Sequence, residues 1–129
     1  VLDFGLALAL DATRLTRAGT TVGSPRYMAP ERLRATEDVG PWTDLYSVGV
    51  VLYRMLTATM PFKETELAPL IAEVMEVEPP PPSSLNDKVP PEIDILVAQL
   101  LAKRPAERYR SARAVLADLE LLGLTNAGV

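Results

Sequence analysis

The residues equipped for chemistry in this 129-residue chain are carboxylates and hydroxyls, because the sequence contains neither histidine nor cysteine. That removes imidazole bases, thiolate nucleophiles, disulfides and zinc sites of the Cys/His kind. Along the chain stand Asp3 in Asp3-Phe4-Gly5, then Thr16, Thr20 and Thr21 in a polar stretch, and Ser24 in Gly23-Ser24-Pro25. Glu31 closes Met28-Ala29-Pro30-Glu31, Asp44 heads a long apolar run, and Arg108 lies in "PAERY". A carboxylate offers hard oxygen to a divalent cation or two acceptors to a guanidinium, and a hydroxyl can carry phosphate. A functional carboxylate as near a chain end as Asp3 needs something to tie it down, since termini fray. The triplet is therefore expected to belong to something larger.

The elements that must position these groups are helical. Gly5 to Tyr27 carries no sustained apolar period and reads as a long loop, a kind usually functional or disordered. Pro30 to Arg34 suits a short helical piece, with Pro preorganised for a first turn and Glu31 at the positive end of the dipole. From Asp44 to Thr57, Leu45, Val48, Leu52, Met55 and Leu56 recur at helical steps, and Thr43 or Asp44 can cap the start. Val50, Val51 and Tyr53 make the other faces apolar, which predicts a helix in the middle of its domain, ended by Pro61.

Amphipathic helices follow. Leu67, Leu70, Ile71, Val74 and Met75 share one face of the first. The stretch "EPPPPSSLNDKVPP" reads as a stiff connector in preference to a polyproline II ligand. Pro91 opens a helix with a stripe of Ile93, Leu96, Val97, Leu100 and Leu101. Ser111 caps a last one with Val115, Leu116, Leu119 and Leu122 facing inward. The fold class is mainly α, with no sign of a sheet.

Composition narrows the partners. At 48% hydrophobic residues the chain can bury a sizeable core, and a formal net charge of −4 without any Lys/Arg run argues against nucleic acid. The most apolar stretch, Val48 to Leu56, is interrupted by Arg54 and falls far short of the roughly 20 residues of a membrane span. No membrane span and no signal peptide are expected.

Any Asp-Phe-Gly triplet alone is weak evidence, but order strengthens it. The succession "DFGLA", "GTTVGSPRYMAPE", "TDLYSVGVVLYRMLT" and "LLAKRPAERYRSA" resembles the later part of a protein kinase domain, over essentially the whole chain. Its connector and "AERYRSARAVLADLE" look closer to bacterial Ser/Thr kinases than to animal ones. The resemblance divides one partial domain into an activation segment, 1–31, and the helical remainder of the C-terminal lobe, 32–129. It implies that Asp3 binds the Mg²⁺ bridging ATP phosphates, that Phe4 packs inward, and that Gly5 permits a sharp turn. Thr20 is the expected activating phosphosite, with Thr21 and Thr16 as runners-up. Ser24 and Pro25 resemble the strip that receives the residue after the substrate hydroxyl. Glu31 is expected to form a buried ion pair with Arg108, and Asp44 to hold the backbone of the catalytic loop, while Trp42 and Tyr46 read as core.

The departures are equally specific. The Gly-rich phosphate loop, the strand lysine with its glutamate, and the His-Arg-Asp catalytic loop do not occur in the chain, so no catalytic residue is assigned in it. Ala58 stands where a Gly often ends the central helix, and Arg104 where an acidic N-cap often precedes Pro105. The resemblance implies a Ser/Thr kinase using ATP and Mg²⁺ on protein substrates, completed by the rest of its domain. Its place would be the cytoplasm or the cytoplasmic side of a membrane-anchored protein. The alternative is a pseudokinase or kinase remnant that binds a partner without catalysis.

Overall fold

The computed structural model describes residues 25–123. Every regular element among them is helical: α1 (Pro30–Leu33), α2 (Pro41–Thr57), α3 (Leu67–Glu76), α4 (Pro82–Leu85), α5 (Pro91–Leu100) and α6 (Ala112–Leu121). Two 3₁₀ turns, Pro25–Tyr27 and Pro105–Glu107, join the set.

Helix α2 is the axis of the fold, packing against α4, α5 and the Pro25–Tyr27 turn. It begins at Pro41, three residues ahead of the start expected at Asp44, so neither Thr43 nor Asp44 is its N-cap. The reason is local. Pro41 has no N–H to leave unsatisfied and its fixed φ suits the first helical position, while Gly40 is extended in front of it. The Thr43 hydroxyl instead reaches back to accept the Gly40 N–H at 3.1 Å, and the Thr43 N–H donates to the Gly40 carbonyl at 2.9 Å.

The far end of α2 stops at Ala58, whose φ of 60° is left-handed and whose N–H donates to the Arg54 carbonyl at 2.7 Å. The Asn86 amide covers another terminal carbonyl, donating to Leu56 O at 2.8 Å. α2 is central, yet it is not apolar-faced all round: Arg54 and Met55 point to solvent.

Two apolar clusters flank α2. Tyr46, Val50 and Tyr53 pack with Ala29, Phe62, Leu70, Val74, Val97 and Leu101 on one side. Leu45 meets Leu96, Leu100 and Tyr109 on the other, with Val115, Leu119 and Leu122 of α6 and its end resting against them. Between the clusters Gly49 lets α5 approach α2 closely, since a Cβ there would lie 2.8 Å from the Leu100 Cβ.

Sequence periodicity overstated the width of several faces. Met55 is 50% exposed and Leu67 56%, and Leu116 also faces solvent. A helical stripe says which residues are neighbours, but Met55 and Leu116 lie at the edges of their stripes and Leu67 is the first residue of α3, where the helix has only begun. The proline-rich connector also holds more structure than a stiff spacer. Pro82 starts the one-turn α4, and Asp94 of α5 accepts the Ser83 N–H at 2.9 Å and the Ser83 hydroxyl. Ser111 caps α6 as expected, accepting the Ala114 N–H at 3.2 Å.

Candidate functional site

Glu31 and Arg108 meet in the interior although 77 positions separate them. Helix α1 is too short to bury much by itself, but Pro30 starts it and the Thr36 N–H and hydroxyl close it on the Glu31 carbonyl, at 2.9 and 3.2 Å. This turns the Glu31 side chain inward, away from the dipole role its position suggested. Arg108 follows the Pro105–Glu107 turn, where Arg104 at the N-cap makes no side-chain cap bond.

The guanidinium is fully used. Nη1 donates to Glu31 Oε2 at 2.7 Å and to the Trp42 carbonyl at 3.1 Å; Nη2 donates to Glu31 Oε1 at 3.2 Å and to the Lys103 carbonyl at 3.4 Å; Nε donates to the Ala102 carbonyl at 2.9 Å. The Thr43 hydroxyl adds a third hydrogen bond to the carboxylate, 2.8 Å from Glu31 Oε2. Glu31 is 4% and Arg108 2% exposed. Removing two charges from water is tolerable only with such geometry, because each desolvated charge must recover its lost hydrogen bonds. Thr43 was read only as a possible cap; a partner 12 positions away leaves no local signal.

One aromatic ring lies against the pair, and a second engages the neighbouring Arg110. The Arg108 guanidinium carbon lies 5.0 Å from the centre of the Tyr46 ring, and Arg110 lies 4.2 Å from that of Trp42. Tyr46 is core, as its pattern suggested, and burial pushes its phenol well above the usual tyrosine range. The Arg108 charge opposes that shift, and Glu31 and Glu78 reinforce it. Its hydroxyl has no hydrogen-bond partner among the described residues.

The same scaffold fixes the Pro25–Tyr27 turn. Ser47 of α2 donates its hydroxyl to the Tyr27 carbonyl at 2.7 Å, and Arg54 donates to the Tyr27 hydroxyl at 2.7 Å. Pro25, the last residue of the candidate substrate strip, is thus held to the central helix one short step before Glu31. Asp44 lies half-buried in the first turn of α2. Asp3, Phe4, Gly5, Thr16, Thr20, Thr21 and Ser24 lie outside the described residues. Among the described residues no cluster of acidic side chains could hold a metal ion, and no helix is long and apolar enough to cross a membrane.

What this geometry can do is hold a backbone segment, the 25–31 stretch, against a rigid helical base through one buried fork. Comparison with known proteins speaks to the family. The family model described as "Protein kinase domain" matches residues 1–118. The serine/threonine-protein kinase pkn3 of Myxococcus xanthus is 38% identical over 126 residues, 93% of this chain and 23% of that protein. PknL of Mycobacterium tuberculosis is 38% identical over 120 residues, 93% of this chain and 30% of its own length. PknB of Mycolicibacterium smegmatis is 38% identical over 121 residues, 92% of this chain and 19% of its own. The chain therefore spans less than a third of the length of these relatives. Its motif order, helical architecture and family match together place it in the protein kinase family, as a stretch of the helical C-terminal lobe.

Proposed function

We propose that this chain is the activation segment and helical base of a serine/threonine protein kinase, which moves the γ-phosphoryl group of ATP to Ser or Thr hydroxyls of proteins. The observation that carries the reading is the buried Glu31–Arg108 fork, with Glu31 six positions beyond Pro25 at the end of an ordered Asp-Phe-Gly to Ala-Pro-Glu succession. A fully satisfied buried pair is a costly way to hold a loop, and it is well suited to a loop whose position matters.

In this reading Asp3 supplies a hard carboxylate oxygen to Mg²⁺, an ion that neutralises charge on the ATP phosphates. Phe4 and Gly5 set the conformation of that Asp. Phosphate on Thr20, or on Thr21 or Thr16 in its place, adds about two negative charges and orders the segment. Ser24 and Pro25 seat the acceptor peptide, and Asp44 holds the backbone of the catalytic loop supplied by the remainder of the domain. Such a kinase works where ATP is available, in the cytoplasm or on the cytoplasmic side of a membrane.

By itself the chain is expected to be inactive, since the strand lysine and catalytic aspartate of the family are not among its residues. The test is transfer of labelled γ-phosphate from Mg·ATP by the complete protein to a protein acceptor, followed by phosphoamino-acid analysis. Phosphoserine or phosphothreonine supports the kinase. A purified, folded complete protein that labels nothing supports the non-catalytic binding module instead.

A further inference from the structure

We propose that Lys103 is a positioning residue: its ammonium group clamps the C-terminal end of α3 and ties that helix to the Glu31–Arg108 pair. Helix α3 ends without help of its own. Its last turn contains no basic residue, and at Val77 the backbone goes directly into an extended conformation. The last carbonyls of a helix carry a partial negative charge and need donors. Lys103, 26 positions beyond Val77, brings them: Nζ donates to the Val74 carbonyl at 2.6 Å and to the Val77 carbonyl at 2.5 Å. The same ammonium lies 5.0 Å from the centre of the Phe62 ring.

The other end of the residue makes this more than a cap. The Lys103 backbone carbonyl accepts Arg108 Nη2 at 3.4 Å, in the guanidinium that grips Glu31 of α1. Helix α1 packs in turn against α3. A polar circuit thus runs from α1 through Glu31, Arg108 and Lys103 to α3, and packing closes it back to α1. The chain entering α3 is tied to the same helix, since the Glu64 N–H donates to the Glu73 carboxylate at 3.1 Å. Burial lowers the Lys103 pKa below the ordinary lysine value, against the opposing pull of Glu78 and Glu73, in keeping with an ammonium drawn into the structure to serve these carbonyls. With α3 fixed against α1, the Pro25–Tyr27 turn that leads into α1 has a fixed neighbour. The consequence for protein substrates rests on the kinase reading; the clamp does not.

The test compares the complete protein with Lys103→Met, which keeps an aliphatic stem over Phe62 but loses the charge, and Lys103→Arg, which restores a cationic donor. In hydrogen exchange, the Val74–Val77 amides of the Met variant should open roughly tenfold faster or more, while those of Leu96–Leu100 stay unchanged. The Arg variant should recover most of the protection. In kinase assays the Met variant should raise KM for the protein substrate roughly threefold or more and leave KM for ATP within about twofold. Unchanged exchange at Val74–Val77, equal acceleration at Leu96–Leu100, or an Arg variant as open as the Met variant would each overturn the clamp. Localised opening without any change in protein KM would overturn its link to substrate. Localised opening in a protein that transfers no phosphate at all would leave the clamp standing and remove the kinase reading.

Discussion

Arg108 directs two of its guanidinium nitrogens at the two carboxylate oxygens of Glu31, at 2.7 and 3.2 Å, and spends its remaining hydrogen bonds on the carbonyls of Trp42, Ala102 and Lys103. The pair therefore joins α1, the head of α2 and the segment between α5 and α6. Truncating one partner strands the other as a buried charge. Arg108→Ala should cost about 3–5 kcal/mol, against at most about 1 kcal/mol for an exposed pair. Denaturant unfolding of the complete protein measures it. Arg108→Lys should recover little, because an ammonium cannot reproduce the planar fork. A loss below about 1 kcal/mol for the Ala variant would contradict the role given to the pair.

Two backbone positions make opposite demands. Ala58 holds a left-handed φ of 60°, which costs a residue with a Cβ about 1–2 kcal/mol. Ala58→Gly should therefore stabilise by about 1 kcal/mol despite the greater freedom of Gly in the unfolded chain. Gly49→Ala should do the reverse. Better helix propensity is worth about 1 kcal/mol, but the new Cβ would meet the Leu100 Cβ at 2.8 Å and Leu101 Cδ2 at 3.0 Å. Leu100 Cβ is anchored to the α5 backbone and cannot swing away, so overpacking should win by roughly 1–2 kcal/mol net. Melting temperatures of both variants give the signs.

Tyr46 offers a hydroxyl that can be removed without loss. It is buried and lacks a hydrogen-bond partner among the described residues, while its ring faces Arg108. Tyr46→Phe keeps the ring and deletes a desolvated polar atom, so thermal stability should stay level or rise, by up to about 1 kcal/mol. A clear drop in melting temperature would mean that the hydroxyl is paired in the complete protein.

Much of this arrangement was legible in the sequence, for identifiable reasons. Pro30 and Pro91 mark helix starts because proline suits a first turn, Ser111 marks another as a side-chain cap, and Ala58 and Arg104 stand out against the family pattern. Pro41 and Pro82 obey the same rule as Pro30 but were hidden, one behind a more obvious Thr-Asp cap and the other inside a proline run. The Glu31–Arg108 pairing came from resemblance, since periodicity carries no information across 77 positions. Thr43 and Lys103 were missed at the site for that reason. Each acts on a partner far along the chain, through atoms that leave no local pattern.

Thr20 should carry the principal phosphate of the active complete protein. Its spacing ahead of Ser24 is the basis. Peptide mass spectrometry should place the phosphate there, and Thr20→Ala should lower activity by at least tenfold if ordering the segment depends on the added charge. Phosphate confined to other positions, together with a fully active Thr20→Ala, would move the switch elsewhere.

The most direct measurement is phosphoryl transfer by the complete protein carrying Asp3→Asn. An amide nearly the size of the carboxylate preserves packing and removes the charge a hard divalent cation requires. Turnover at saturating Mg²⁺ should fall by roughly a thousandfold or more while the melting temperature barely changes. Substantial remaining turnover would contradict the assignment of Asp3 as the metal ligand, and with it the reading of this chain as the activation segment and base of a working kinase.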